Sequence, residues 1–182
     1  DVNARPLDNY FGQVSDPLSE YGKGQLKRKF SRLDIINKAD LVIYERAIDI
    51  VKNFCDNFQL LHADHPQKAL LVAPNKISAI KYRDYMEEFC DTNPKYKLHC
   101  EVLISAPDMR EGEEDAFEKA EDKVKAFWNA MMDKYKKPEE YEKNLINAYK
   151  KKEQPEMLIV VDKLLTGFDA PCATVLYLTR PL

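Results

Sequence analysis

The apolar positions change period several times along the chain, and each change predicts an element. Residues 1–25 carry prolines, glycines and polar side chains with little periodicity, which predicts an irregular arm. A helical pattern begins near Leu26, and Ile43, Ala47, Ile50, Val51, Phe54 and Phe58 fall on one helix face, with Asp40 placed to cap its start. The stretch Leu61–Gln67, with His62, His65 and Pro66, breaks the pattern. Lys68-Ala69-Leu70-Leu71-Val72-Ala73 is then a short apolar run of the kind buried on both faces of a parallel sheet. Pro74-Asn75 leads into a covering helix over Lys76–Cys90, with Ile77, Ile80, Tyr85 and Phe89 as its apolar face. A second strand lies within Tyr96–Ala106, most plainly at Val102-Leu103-Ile104. A long charged helical stretch from about Glu113 to Lys152 restarts at Pro138, a favoured first-turn residue. Met157–Val161 and Thr174–Leu178 give the third and fourth strands. Strands alternating with helices predict an α/β fold with an open, mainly parallel sheet and right-handed crossovers.

Composition narrows the function classes. The chain has 182 residues, 45% hydrophobic and 10% aromatic, enough for one buried core and too apolar for disorder. Lys and Arg total 28 against 31 Asp and Glu, a net charge of −3, which excludes a uniformly basic nucleic-acid wrapper but leaves room for a local basic face. No apolar run approaches the roughly 18–20 residues that span a bilayer, and Asp1-Val2-Asn3-Ala4-Arg5 does not open a signal peptide, so no membrane partner and a cytoplasmic location are expected. The five glycines, Gly12, Gly22, Gly24, Gly112 and Gly167, do not form the G-x-x-x-x-G-K-[ST] loop that closes backbone N–H groups around phosphates. A self-sufficient nucleotide hydrolase of that type is excluded. Cys55, Cys90, Cys100 and Cys172 contain no C-x-x-C pair and read as reduced thiols.

The chemistry concentrates between the third and fourth strands. Asp162-Lys163-Leu164-Leu165-Thr166-Gly167-Phe168-Asp169-Ala170-Pro171 leaves the carboxyl end of a strand, where open α/β sheets bind ligands. Gly167 permits close backbone approach to a phosphate or sugar, and Asp169 is suited to accept hydrogen bonds from ribose hydroxyls. The residues alone equally allow a tight connection in which Gly167 turns the chain and Asp169 caps a backbone N–H.

Leu164–Pro171, with Leu176-Tyr177-Leu178 and Arg180-Pro181-Leu182 behind it, resembles motif V of superfamily 2 helicase-like motors, in the form found in the restriction (R, motor) subunit of type I restriction–modification enzymes. Lys68–Asn75 and the Ala79–Tyr85 helix resemble that subunit's motif IV region, the first strand of its second RecA-like lobe. The resemblance covers roughly residues 43–182. It implies an irregular arm and helical connector over 1–66 and a RecA-like (P-loop NTPase-like) lobe over 67–182, cut before motif VI, within a central fragment of a larger protein. It implies ATP and Mg shared with a first lobe, double-stranded DNA as partner, and modification and specificity subunits in one complex. By the same resemblance Thr166, Gly167 and Asp169 face nucleotide, and Asn75, Ser105 and Lys163 are candidates for DNA contacts; no catalytic residue or metal ligand is expected in the chain itself. The alternatives are another superfamily 2 helicase, acting in repair or on RNA, and a non-enzymatic α/β interaction module.

Other patterns are given structural readings. The spacing of His62, His65, His99 and Cys100 suits no zinc site. Lys27-Arg28-Lys29 and Lys150-Lys151-Lys152 read as solvated helix faces, and Asp108, Glu111, Glu113, Glu114 and Asp115 as a helix N-terminus. Phe127, Trp128, Met131, Met132 and Tyr135 read as a packing face.

Overall fold

The computed structural model describes residues 19, 21–23, 37–59, 67–107, 115–151, 154–164 and 168–180, with backbone alone at 115–121. The chain divides into two compact units, Asp1–Ile36 and Asn37–Leu182. In the first, a helical turn over 21–23 is tied to Ser19, whose carbonyl accepts from Lys23 N at 2.8 Å and whose hydroxyl accepts from Gly22 N at 3.3 Å. The pattern beginning at Leu26, the basic triplet at 27–29, His62, His65 and the acidic residues 108–114 lie outside the described residues.

The second unit begins with α1 (Asp40–Phe54), which continues into a π-helical turn over Cys55–Gln59. Asp40 is not its cap: Ala39 occupies that position without a side-chain hydrogen bond. Asp40 instead stands in the first turn, where a carboxylate suits the helix dipole, and pairs with Lys81. After β1 (Lys68–Val72) come α2 (Lys76–Thr92), β2 (Cys100–Leu103), α3 (Asp115–Tyr135), α4 (Pro138–Lys151), β3 (Met157–Val160) and β4 (Ala173–Leu178). The chain restarts at Pro138 as its fixed φ favours; just before it Lys136, at φ 69°, donates its N–H to the Met132 carbonyl at 2.7 Å and ends α3 in a left-handed turn.

The four strands pair in the order β2-β3-β1-β4, every pair parallel, so the fold is α/β with the architecture of a RecA-like lobe. β1 and β3 are central and fully buried, which is why residues 69–72, behind the buried Lys68, and Met157–Val160 read as unbroken apolar runs. One sheet face, through Ala69, Leu71, Val102, Met157 and Ile159, packs on Ile43, Ala47, Val51 and Phe54 of α1 and Ala79, Ile80, Tyr82 and Met86 of α2. The other, through Leu70, Val72, Leu158 and Val160, packs on Tyr141, Leu145 and Tyr149 of α4. α3 serves both: Val124 and Phe127 join the first core, while Trp128 and Met131 touch the two together. The aromatic face expected on α3 is thus a packing face, with Trp128 edge-on to Tyr141 at 6.0 Å between ring centres. The edge strand β4 alternates, turning Val175 and Tyr177 to the first core and leaving Leu176 and Leu178 about half exposed.

Candidate functional site at the carboxyl edge of the sheet

All four strands run the same way, so the loops after β1, β2 and β3 and the segment after β4 leave one edge of the sheet. Backbone bonding closes that edge: Ala73 N donates to Val160 O at 2.8 Å, and Thr179 donates to Val72 O through its N–H at 3.1 Å and its hydroxyl at 2.8 Å.

After β1, Asn75 is the N-cap of α2. Its extended backbone (φ −160°, ψ 175°) lets its side-chain oxygen accept from Ser78 N at 2.8 Å. The neighbouring Lys76 donates to the Ala106 carbonyl at 2.6 Å, joining the loop after β1 to the one after β2 that carries the exposed Ser105. Asn75 and Ser105 therefore stand on adjoining loops. After β3, Lys163 pairs with Glu142 in the first half of α4, so its ammonium is already engaged by a carboxylate. Leu164 follows in the left-handed region at φ 64°, a conformation costing a bulky residue about 1–3 kcal/mol, and is held there by its contact with the α4-side core.

Thr166 and Gly167 lie outside the described residues. Beyond them Phe168 packs on Tyr149 of α4 at 6.1 Å between ring centres, with the Lys150 ammonium 5.0 Å from its own ring centre, and the loop closes in a turn in which Ala173 N donates to Ala170 O at 2.9 Å. Asp169, between these anchors, is exposed and its carboxylate makes no hydrogen bond or ion pair with the described residues. Among the described residues no backbone N–H donates to that carboxylate. Burial pushes the Tyr149 phenol beneath Phe168 well above the ordinary tyrosine range, so it stays protonated even at alkaline pH.

Arg180, which no motif singled out for a role, completes the edge. One nitrogen of its guanidinium donates to the Val161 carbonyl at 2.9 Å and to the Asp162 carboxylate at 2.5 Å, while its Nε is buried without a partner among the described residues. Sequence offers no direct signal for this contact: residues 18 or 19 positions apart meet only because β1 lies between β3 and β4. His99 stands elsewhere, at the amino end of β2, half exposed and 3.7 Å from Glu101. Among the described residues no group of three His, Cys, Asp or Glu side chains is arranged to hold a metal, and all four cysteines are free thiols. No described helix is long and apolar enough to cross a membrane.

An all-parallel four-strand sheet with helices on both faces defines the class: an α/β lobe of RecA type whose strand ends gather at one carboxyl edge. Residues 65–182 match the family of type I restriction enzyme subunit R domain 3, and the chain belongs to that family. It is also 28% identical, over 159 residues, to a protein of Methanocaldococcus jannaschii named for the endonuclease subunit of a type I restriction enzyme, MjaVIIP; the match covers 81% of this chain and 13% of that relative's length.

Proposed function

We propose that the chain is a helicase-like motor lobe of a type I restriction R subunit, serving ATP-dependent translocation of double-stranded DNA that leads to cleavage. The observation that carries this reading is Asp169: an exposed carboxylate with no partner among the described residues, between Phe168 and the Ala170–Ala173 turn on a family-matched loop. A carboxylate needed only for the turn would be spent on a backbone N–H.

The nucleotide fits this edge in part. Asp169 offers acceptors for ribose hydroxyls or magnesium-bound water, and Thr166 and Gly167 precede it in the same loop. The chain contains no glycine-rich phosphate cradle, so the phosphates and Mg belong chiefly to a first lobe. ATP supplies the free energy when bound and hydrolysed; this lobe's residues sense it. Asp169 orients the nucleotide through hydrogen bonds, and the anchored Phe168 carries the loop's position into α4. Asn75, at the dipole-positive end of α2, and Ser105 beside it offer donors to a DNA phosphate. Lys163 joins them by exchanging the Glu142 carboxylate for a phosphate oxygen. Modification and specificity subunits complete the complex and supply sequence recognition.

A salt titration of the 182-residue chain with duplex DNA tests the DNA side. Two to four phosphate contacts predict weak, sequence-independent binding, with a log–log salt slope of about −2 to −4. Tight binding to one sequence at physiological salt would contradict it.

A further inference from the structure

We propose that Arg180 is a positioning residue of this site: its guanidinium roots the β3–β4 loop by clasping the Val161 carbonyl and the Asp162 carboxylate from beyond β1. In the order β3-β1-β4 the ends of β3 and β4 are two strand spacings apart, about 10 Å. No backbone bond can join them, and a long side chain can. The other strand-end carbonyls are met locally, Val160 by Ala73 N and Val72 by Thr179, whereas Val161 has the Arg180 donor. The loop from Asp162 to Cys172 therefore starts at a point fixed by the residue two positions past the strand it leads into.

The partners fit the role. Asp162 is 77% exposed, and an ordinary surface pair of that exposure contributes little, but here the same nitrogen also bonds a backbone carbonyl and the arginine is only 26% exposed. The guanidinium's bonds among the described residues are those to Val161 and Asp162. Immediately downstream come Lys163, paired with α4, and Leu164, held at positive φ. A root that shifts would release that strained residue and move Lys163 and Asp169 out of place.

The functional consequence rests on the motor reading; the clasp does not, and two measurements separate them. The first is amide hydrogen exchange of the 182-residue chain, whose residues 37–182 form a compact unit with its own core. Arg180→Gln should raise exchange at Ala73 and Thr179, whose N–H groups close the edge on either side of the clasp, about tenfold while Leu71 and Ile159 stay protected. Unchanged exchange at 73 and 179 overturns the clasp. The second is DNA-stimulated ATP turnover of the complete R subunit, per folded molecule. Arg180→Gln should lower it about tenfold, and Arg180→Lys should restore most of it, because a single nitrogen makes both bonds. Faster exchange with full turnover would make the clasp purely structural and overturn the positioning role. Absence of DNA-stimulated turnover in the unmutated subunit would count against the motor reading, and the exchange result would still decide the clasp.

Discussion

Asn75 caps α2, and the proposed DNA contact would give the same amide a second role. Its oxygen is committed to Ser78 N, leaving its NH2 group for a phosphate. Asn75→Ala should cost about 1 kcal/mol of stability through the lost cap, a fall of about 2–4 °C in a domain of this size. Asn75→Asp keeps an acceptor for Ser78 N and adds charge where the dipole favours it, so melting should hold while DNA binding weakens. Melting curves beside binding titrations of both variants check this, and equal DNA binding by the Asp variant and the parent would remove Asn75 from the interface. At this scale the sequence was informative where a contiguous pattern sets position: Asn75 leads into α2 and Asp169 follows the β3 strand end, as their neighbours predict. It was silent on Arg180, whose partners are brought to it by sheet order, and on Leu164, whose left-handed backbone is imposed by core contacts against its own preference.

The elements were legible wherever one physical rule dominated. Buried central strands show as apolar runs, and proline restarts a helix, so β1, β3 and the α3–α4 break fall where the pattern predicts. β4 reads the same way in sequence, yet half of it faces solvent, because an apolar run does not reveal whether both faces are covered. The π-helical turn after α1 has no periodicity signature at five residues. The elements also bury titratable groups, with a measurable consequence. Burial of Cys55 in that turn pushes its thiol from 9.0 up to about 11, and burial of Tyr177 on β4 pushes its phenol from 10.0 up to about 12. Both folded values lie above the unfolded ones, so the folded chain keeps protons that the unfolded chain has lost. Stability from these groups is intact below pH 9 and declines as pH rises through 11 to 12. The melting temperature should be level up to pH 9 and fall beyond it, with Cys55→Ala removing part of the slope between 9 and 11. A level profile to pH 11 would contradict this.

At the scale of the 37–182 unit, two cores pack on the two faces of one parallel sheet whose strand ends gather at its carboxyl edge. α1, read from sequence as part of a connector, packs on the sheet beside α2. The family match covers residues 65–182, and the stretch shared with the archaeal relative is 13% of that protein's length. In the proposed motor the β3–β4 loop serves the nucleotide-driven step, with Asp169 contributing there and not to the fold. Asp169→Asn in the complete subunit tests it: the shape is kept, and the charge and one acceptor are lost. One charge-assisted contact corresponds to about 1.5–3 kcal/mol, roughly ten- to a hundredfold in the step that uses it. DNA-stimulated ATP hydrolysis per folded molecule should fall by that factor while the melting temperature of the lobe stays where it was. Full hydrolysis with a lowered melting temperature would make Asp169 a structural residue and contradict the account.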